Sequence, residues 1–298
     1  MIRVSEEVRD SGRPIVALES TIFSNLGLPA PHNREALERC KHAVSSRGAV
    51  PAVTAVLDGA WRVGLSAEEE TRVLAGTRKV AERDLAVAAA QRWEVGVTTV
   101  SASMALAHRA GIRVFATGGI GGVHRGNELD VSADLDALAN HPVVTVCAGA
   151  KAFLDLPRTL EYLETVGVPV LGWQHDWFPA FYLRSSGLRV PHRVERAEEV
   201  VGVLANRVRD RTGVLLTVPI PAGDELDPDT VDGALADALA ACAEQRITGA
   251  AVTPFVLGWI ERATGGRSVP ANLALAEHNA AIAADIANAL NRAEGGSM

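Results

Sequence analysis

The stretch VVTVCAGAKAFLDLP, residues 143–157, decides the fold, because an almost wholly apolar run ends there in small residues and a lysine, Lys151. A short apolar run bounded by a turn signal is typical of a strand buried in a sheet. Lys151 then has two interpretations. It either starts a helix over KAFLDL with its ammonium group in water, or its amine has a pKa lowered by the apolar strand end and attacks a carbonyl.

Outward from this stretch, short apolar runs alternate with amphipathic helical segments along the chain. Strand patterns occupy residues 14–21, 95–100, 112–119, 141–150, 168–173 and 213–221, and helical patterns occupy 33–48, 101–111, 158–167 and 272–296. Asp58–Gly59 predicts a hairpin turn, and Ser66 with Glu69 predicts a capping box. This alternation indicates an α/β fold. We expect a single domain over residues 1–298, a mixed β-sheet covered by helices on both faces as an α-β-α sandwich.

Composition and charge argue against several classes of protein. Of the 298 residues, 48% are hydrophobic, enough to bury a substantial core. A formal net charge of −7 without a dense Lys/Arg run argues against a nucleic-acid partner. No apolar run reaches the length of about 18 residues that a membrane helix needs, and MIRVSEEVRD is no signal peptide, so we expect a cytoplasmic protein. The spacing of Cys40, Cys147 and Cys242 predicts neither a zinc site nor a disulfide framework.

A glycine-rich segment, ATGGIGGVHRG at residues 116–126, is the most unusual part of the sequence. It is not a P-loop, since no Gly-Lys-Ser/Thr follows, and His124 stands where a dinucleotide fingerprint requires its third glycine. Such a loop is either a tight turn or a cradle whose backbone N–H groups bind an anion. His124 and Arg125 directly behind it favour the anion site.

Two acidic stretches contain candidate metal ligands and a candidate general acid. In DVSADL, residues 130–135, Asp130 and Asp134 would supply oxygen ligands to a hard divalent cation. The other interpretation is a helix N-terminus capped by Ser132 or Asp130, with Asp134 at the positive end of the helix dipole. Glu19, in the strand segment ALEST, is either a general acid with a raised pKa or a cap for a backbone group.

The predicted strands place several of these groups together. In an α/β sheet, sites gather at the carboxyl ends of the strands. Glu19, Thr117 and Lys151 all lie at such ends, as does the loop after Gly118. Lys79, in GTRKVAERDLA, has only the local pattern of a solvated charge.

The sequence resembles the pseudouridine-5′-phosphate glycosidases from about residue 14 to residue 290. The resemblance implies cleavage or formation of a C–C bond between C1′ of ribose 5-phosphate and a nucleobase, by a lyase-type C-glycosidase that works as a homotrimer with manganese. The stretches that carry it are ALESTIFS, GAVPA, TTVSASMALAHRAGIRVFATGGIGGVHRG, DVSADL, VCAGAKAFLDL, TLEYLETVGVPVLGW, PAFY, TPF and NLALAEHNAA.

The same resemblance implies a role for each matching residue. Lys151 would form a Schiff base with the opened sugar, Glu19 would act as acid and base, and Asp130 would hold the metal. A C-glycoside has no heteroatom in its leaving group, so protonation of an exocyclic oxygen cannot start cleavage, whereas an iminium on Lys151 supplies an electron sink. The positions that match substrate-binding ones are Lys79, Val100, Thr117, His124, Ser132, Ala133, Asp134 and Asn272.

Three segments depart from the family pattern in residue type, and the loop between HRG and DVSAD is two residues shorter than in the family. The chain has SNLGLP at residues 24–29 where the family has S-H-G-M-P, Glu82 where an arginine is expected, and Val218 where an asparagine is expected. These changes replace polar groups that would serve a buried base, so they weaken the expectation for uracil.

Two alternative acceptors are therefore predicted for the same C–C bond reaction. The first is uracil, as in a pseudouridine-5′-phosphate glycosidase. The second is an aromatic polyketide, as in the C-glycosynthase of alnumycin biosynthesis. A hypothesis from another class is a catalytically inactive sensor of a sugar phosphate.

Overall fold

The computed structural model describes residues 2–126, 130–247, 249 and 252–295. The strands are Ile2–Val4 (β1), Ile15–Leu18 (β2), Val50–Leu57 (β3), Ala60–Val63 (β4), Lys79–Val80 (β5), Val95–Thr98 (β6), Val114–Ala116 (β7), Val123–His124 (β8), Val144–Cys147 (β9), Leu154–Asp155 (β10), Val170–Trp173 (β11), His192–Val194 (β12) and Val214–Thr217 (β13). The α-helices are Glu6–Asp10 (α1), His32–Ser45 (α2), Ala67–Leu74 (α3), Leu85–Ala90 (α4), Val100–Arg109 (α5), Ala133–Asn140 (α6), Leu156–Val166 (α7), Ala197–Asn206 (α8), Pro228–Glu244 (α9), Val252–Ala263 (α10) and Ser268–Gly295 (α11).

A mixed sheet forms the centre of the fold. Its parallel part has the strand order β3-β2-β7-β9-β13-β11-β12. At one edge, β4 and β6 both pair antiparallel with β3, and β1 and β5 extend them. Apart from the edge strand β12, the strands of the parallel part are almost wholly buried, as expected for a parallel sheet covered on both faces.

Helices cover the sheet. The long helix α11 contacts β2, β7 and β9 and packs on α2 and α8, whereas α5 contacts β2, β3 and β7 and packs on α6. The predicted α/β class, a mixed sheet flanked by helices, is confirmed. In the part of the chain that the structure describes, no helix combines the length and the hydropathy needed to cross a membrane.

The strand β3 changes partner at the end of β2. Its first half pairs with β2 as far as Leu18, and beyond that point β6 takes over the same edge. Side-chain hydroxyls bridge the change: Thr98 donates its backbone N–H to Ser20 Oγ at 2.8 Å, and Thr54 donates its hydroxyl to the Leu18 carbonyl at 3.2 Å. Glu19 lies between these anchored residues, so its backbone is fixed where β2 leaves the sheet.

Two local predictions are confirmed. Asp58 and Gly59 both have a positive φ, 53° and 76°, in the turn that joins β3 to β4. Ser66 and Glu69 form a reciprocal capping box at the start of α3.

Of the two interpretations of Lys151, the one that starts a helix over KAFLDL does not hold. Lys151 begins a turn in which its own carbonyl oxygen accepts the N–H of Leu154 at 3.0 Å. Leu154–Asp155 then pairs with β8. The helix starts only at Leu156, capped by the Asp155 side chain. Arg125 holds the turn in place, since its Nε donates to the Leu154 carbonyl at 3.1 Å. A contact from a distant loop therefore overrides the local helical pattern.

Candidate active site

Three side chains meet at the carboxyl edge of the parallel strands. Glu19 follows β2, Thr117 follows β7, and Lys151 follows β9. The Thr117 hydroxyl donates to Glu19 Oε1 in a short hydrogen bond. Asn279 of α11 donates to the Thr117 carbonyl at 2.8 Å, which fixes this strand end from the other side. The sheet and one helix thus hold the carboxylate rigidly.

Burial dominates the electrostatics of Glu19. The residue is only 9% exposed, and burial raises the pKa of its carboxyl to about 7, although Lys151 and the Thr117 hydroxyl counteract the rise. A carboxyl group with this pKa exchanges its proton near neutral pH, which is what general acid–base chemistry requires.

The turn that carries Lys151 is bonded to the glycine-rich loop. Ala148 donates to the Gly118 carbonyl at 2.8 Å, and Lys151 donates to the Ile120 carbonyl at 3.2 Å. Gly149 has a φ of 75°, and a Cβ there would lie 2.1 Å from the Pro179 carbonyl oxygen. Only glycine fits this position, so the small residues before the lysine serve to place its backbone.

Lys79 joins the group from the antiparallel edge. It lies on β5, next to β6, and its side chain is partly buried. Burial and the nearby ammonium of Lys151 lower the pKa of Lys79, and Glu19 counteracts them. Two lysines and one carboxylate therefore influence each other electrostatically, although Lys79 had only the local pattern of a solvated charge.

Two cavities meet at these residues, and we name them by their linings. The apolar cavity has a volume of ≈ 270 Å³, and the polar cavity also has ≈ 270 Å³. The residues that line both are Glu19, Thr21, Lys79, Lys151 and Thr253. Lys151 and Glu19 thus stand between a polar and an apolar compartment.

Two helix N-termini and several basic side chains lie at the wall of the polar cavity, together with the carboxylates of Glu19, Asp130 and Asp134. The helices α5 and α6 both begin at its wall, with Val100 and Ala133 as their first residues, and helix N-termini carry partial positive charge. His124 and Arg83 add basic side chains. The sequence had singled out several residues of this lining, including Asp130, Ser132 and Asp134, whereas Arg83 was missed although it directly follows the unexpected Glu82.

Asp134 joins the two helix N-termini to the glycine-rich loop. Its Oδ1 accepts the Ser101 N–H at 3.0 Å, and its Oδ2 accepts the Gly121 N–H at 2.8 Å. Ser132 caps α6 by accepting the Asp134 N–H at 3.2 Å, as one of the two sequence interpretations predicted. Asp134 therefore positions the cavity wall through its own carboxylate.

Three N–H groups of the glycine-rich loop bind within the protein. The N–H groups of Ile120, Gly121 and Val123 donate to the Gly149 carbonyl, the Asp134 carboxylate and the Thr159 hydroxyl. The glycines instead permit close packing. A Cβ on Gly121 would lie 2.2 Å from Ser132 Oγ, so a side chain there would push α6 away from the cavity.

Asp134→Asn tests this positioning. The amide group would direct a donor at one of the two N–H groups, and an unsatisfied buried donor costs about 1–3 kcal/mol. We expect the free energy of unfolding to fall by about 2 kcal/mol in urea titrations. Asp136→Asn is the matched control, since Asp136 is exposed on the same helix. Equal stability of the two variants would contradict the role of Asp134.

The apolar cavity contains residues that the sequence did not single out. Its wall includes Ile22, Leu26, Phe181 and Leu257, together with the predicted Asn272. These residues carry no reactive group, and α10 lies far along the chain from Glu19. The only signals for them were segments of the family comparison: ALESTIFS contains Ile22, SNLGLP contains Leu26, PAFY contains Phe181, and TPF lies shortly before Leu257.

The three departures from the family pattern have different fates. Leu26 and Gly27, within SNLGLP, line the apolar cavity. The Glu82 carboxylate pairs with His141 Nε2 at 2.9 Å, and its backbone N–H donates to Ser101 Oγ, which lines the polar cavity, at 3.2 Å. Val218 is fully buried and donates its N–H to the Cys147 carbonyl at 2.8 Å, and it lines neither cavity. Only the first departure changes the shape of the site.

The donor set near Asp130 decides what kind of metal site is possible. Within the described ranges, no three His, Cys, Asp or Glu side chains cluster as metal ligands. Asp130 lines the polar cavity, while both oxygens of Asp134 accept backbone N–H groups. This set fits a divalent ion held by one carboxylate, with water and a substrate phosphate as further ligands. It does not fit an ion enclosed by protein groups alone.

Comparison with known proteins gives consistent results. The family described as indigoidine synthase A like protein matches residues 3–289. A pseudouridine-5′-phosphate glycosidase of Methylobacterium nodulans is 48% identical over 98% of this chain and 89% of its own. One of Myxococcus xanthus is 47% identical over 98% and 99%.

Solved structures agree with the sequence comparisons. The prealnumycin C-glycosynthase AlnA, in complex with ribulose 5-phosphate, matches with a TM-score of 0.91 and 35% identity over 99% of both chains. An indigoidine synthase A-like protein of Thermotoga maritima matches with a TM-score of 0.89 and 36% identity, covering 98% of this chain and 97% of its own.

Fold and site together define an α/β protein with a lysine and a protonatable carboxyl group between two cavities. The chain belongs to the indigoidine synthase A-like family, which includes the pseudouridine-5′-phosphate glycosidases. The predicted family is confirmed.

Proposed function

We propose that this protein is an enzyme that reversibly forms and cleaves a C–C bond between C1 of ribose 5-phosphate and a nucleobase or other aromatic acceptor. The observation that carries the proposal is the place of Lys151 and Glu19, which line both the polar and the apolar cavity. One compartment suits a sugar phosphate and the other a flat apolar ring. The glycosidase relatives and the C-glycosynthase neighbour support this reaction class.

The phosphate belongs in the polar cavity. The N-termini of α5 and α6 attract its charge, and Arg83, His124 and Lys79 add cationic or donor groups. Binding energy from the phosphate, remote from the reacting carbon, then serves to hold C1 of the sugar against Lys151.

In the forming direction, the Lys151 amine adds to the C1 aldehyde of the open sugar and releases water, leaving an iminium. A nucleophilic carbon of the acceptor attacks C1 and forms the C–C bond, and its proton passes to the Glu19 carboxylate. Electrons from the acceptor ring then expel the lysine amine, which takes up the proton that an O–H or N–H group of the acceptor releases. The C4 hydroxyl of the sugar adds to C1, closes the ring and transfers its proton to the acceptor. Cleavage follows the same steps in reverse.

Glu19 is suited to these proton transfers because its pKa lies near 7. A group that titrates near the working pH is populated in both states and exchanges protons with little driving force in either direction. Thr117 orients the carboxyl group through its hydroxyl. Both residues lie on strand ends rather than on mobile loops.

Asp130 would hold manganese in the polar cavity. The ion would supply positive charge to the sugar phosphate. For Asp130→Ala we expect Mn²⁺ binding in the presence of ribose 5-phosphate to weaken by about tenfold or more, since one carboxylate carries the protein's share of the ligands. Electron paramagnetic resonance of free Mn²⁺ measures this without turnover. Asp136→Ala is the control, and undiminished Mn²⁺ binding to Asp130→Ala would contradict the assignment.

The activity is tested by incubating the protein with Mn²⁺, ribose 5-phosphate and either uracil or an electron-rich aromatic acceptor, and analysing products by mass spectrometry. We expect a C-riboside phosphate that resists acid hydrolysis. Binding of ribose 5-phosphate without product from any acceptor, and without a covalent lysine adduct, would favour the sugar-phosphate sensor. The homotrimer and the cytoplasmic location stay predictions of the family resemblance.

A second candidate, a C-glycosynthase with an aromatic polyketide as acceptor, is favoured by one observation. The wall of the apolar cavity consists largely of hydrocarbon groups, among them Ile22, Leu26 and Leu257. A buried pyrimidine needs hydrogen-bond partners on several edges, and the hydrocarbon part of this wall supplies none.

A further inference from the structure

Three titratable side chains form a hydrogen-bonded row behind the wall of the polar cavity. Glu82 Oε1 lies 2.9 Å from His141 Nε2, and His141 Nδ1 lies 3.2 Å from His108 Nδ1. The side chain of His141 is only 13% exposed, and that of Glu82 is 38% exposed. We name Glu82, His141 and His108 the histidine bridge. Its three residues are absent from the lining of both cavities.

The chemistry of the three groups fixes the direction of the hydrogen bonds. A carboxylate only accepts, so His141 Nε2 donates to Glu82. Between the two Nδ1 atoms, one ring nitrogen donates and the other accepts, which requires that the two rings are not both cationic. Burial, His141 and Arg109 lower the pKa of His108, and Glu82 counteracts them. A neutral His108 therefore completes the bridge.

The histidine bridge joins three elements that form the wall of the polar cavity. Glu82 begins a short 3₁₀ helix, Glu82–Asp84. His108 lies in the last turn of α5, and His141 is the residue that ends α6. The opposite ends of α5 and α6 are already joined through Asp134 at the cavity wall. The two helices are thus tied at both ends, and the 3₁₀ helix is tied to them.

The 3₁₀ helix carries Arg83 to the polar cavity. Arg83 lines this cavity, but its side chain is 82% exposed, and its ion pair with Asp84 is long, at 3.7 Å. Such a side chain is held weakly by its own contacts, so its reach depends on where the backbone lies. That backbone is fixed by Glu82, whose N–H donates to Ser101 Oγ at 3.2 Å and whose carboxylate bonds to His141.

Glu82 is also one of the departures from the family pattern, since it stands where an arginine is expected. A carboxylate near an anion-binding wall opposes binding through its charge. Here the carboxylate has a histidine partner outside the cavity lining. The pairing gives this chain a use for an acidic residue beside Arg83.

We propose that Glu82 is a positioning residue for the phosphate of the sugar substrate, acting through the histidine bridge to hold Arg83 at the polar cavity. The proposal rests on the proposed function, because it concerns the ribose 5-phosphate of that reaction. Arg83 contacts the phosphate. Glu82 and His141 act on the phosphate only through the placement of Arg83.

The sign of one substitution separates positioning from charge. Binding of ribose 5-phosphate is measured by isothermal titration calorimetry with Mn²⁺ present. We expect Glu82→Ala to weaken it by about fivefold or more, because Arg83 is no longer preorganised. Charge alone predicts tighter binding, since a carboxylate is removed. Glu82→Gln keeps an oxygen that accepts from His141 Nε2 and should stay within about twofold of the unaltered protein.

Unchanged or tighter binding by Glu82→Ala would overturn the proposal. So would a loss in Glu82→Gln equal to that in Glu82→Ala. Glu68→Ala, at an exposed position on α3, is the control for removal of an acidic side chain and should bind as the unaltered protein does. Circular dichroism and thermal unfolding check that each variant is folded.

A double-mutant cycle tests whether Glu82 acts through Arg83. Arg83→Gln should itself weaken binding of ribose 5-phosphate, and adding Glu82→Ala to it should cost no more than about twofold further. His141→Phe, which removes both ring nitrogens, should match the loss in Glu82→Ala. Losses that multiply in the Glu82→Ala/Arg83→Gln variant, or full binding by His141→Phe, would contradict the proposed role.

Kinetics provide a readout that a merely structural role would not give. With uracil as acceptor, Glu82→Ala should raise KM for ribose 5-phosphate and leave kcat within about twofold, since Lys151 and Glu19 are unaltered. A fall in kcat by the same factor as kcat/KM would overturn positioning of the phosphate.

Failure of this inference differs from failure of the proposed function. The calorimetric comparison needs no turnover, so it tests positioning whether or not a C-riboside forms. A borohydride-trapped adduct on Lys151 together with equal binding by all variants would reject the role of Glu82 and keep the C–C bond chemistry. Absence of the adduct and of any product, with binding weakened only as described, would reject the reaction and keep the positioning.

Discussion

Replacing Lys151 by alanine abolishes turnover while the protein stays folded. The amine is the only group in the mechanism that bonds to the sugar, and removing a covalent nucleophile costs about 10⁴-fold or more in kcat. The fold should persist because Lys151 lies in a turn whose hydrogen bonds are made by its backbone. The measurement is the rate of C-riboside formation, with circular dichroism and thermal unfolding as checks on the fold.

Lys151→Arg is the matched control for charge. A guanidinium keeps a cation beside Glu19 and Lys79 but stays protonated and cannot form an imine. We expect Lys151→Arg to bind ribose 5-phosphate and to be as inactive as Lys151→Ala. Activity of Lys151→Arg within about tenfold of the unaltered protein would show that the lysine acts only through its charge, and the Schiff base would then be wrong.

Glu19→Gln is expected to lower kcat by about 10²–10⁴-fold, the usual contribution of a general acid–base group. The amide keeps an oxygen to accept the Thr117 hydroxyl, so the geometry of the strand end is preserved. The pH profile provides the specific readout. The kcat/KM of the unaltered protein should bend near pH 7, where Glu19 titrates, and the profile of Glu19→Gln should lack that bend. A bend that survives in the variant would assign it to another group.

The same substitution changes how stability depends on pH. The pKa of Glu19 rises from an ordinary 4.5 to about 7 on folding, so between these values the folded protein binds more protons than the unfolded chain. The free energy of unfolding therefore falls as pH rises from about 4.5 to about 7 and levels off above. Glu19→Gln has no carboxyl group to titrate at this position, so its free energy of unfolding does not fall in this way. We expect it to be more stable than the unaltered protein at pH 8, by up to about 3 kcal/mol, with a much smaller difference at pH 4.5.

Much of the framework was predictable because it depends on local pattern. Apolar runs of strand length identified the parallel sheet, and the rule that sites gather at carboxyl strand ends put Glu19, Thr117 and Lys151 on one edge. The residue type of Ser66 was enough to predict the helix cap, and that of Asp58 was enough to predict the hairpin turn. Such features involve neighbours in sequence, so one chain suffices to find them.

Other features depend on partners far apart in the chain. The N–H groups of the glycine-rich loop looked available for an anion, but Asp134 and Thr159 occupy two of them. Arg125 bonds to the turn after Lys151 and prevents the helix that KAFLDL favours. No local periodicity reports such pairings.

The apolar cavity was the least predictable part. Phe181, Leu257 and Asn272 reach it from a loop and two helices that are remote in sequence from Glu19. Apolar side chains such as Phe181 and Leu257 are indistinguishable from core residues until the fold shows that they face a cavity. The sequence therefore indicated the sugar side of the reaction in detail and left the acceptor side open.

The proposed mechanism depends most on a covalent bond between Lys151 and the sugar. Incubating the protein with ribose 5-phosphate and sodium borohydride, followed by peptide mass spectrometry, measures that bond directly. We predict a stable adduct of the reduced sugar phosphate on the peptide that contains Lys151, and its absence in Lys151→Arg. An adduct confined to Lys79, or none at all under conditions where C-riboside product forms, would contradict the account.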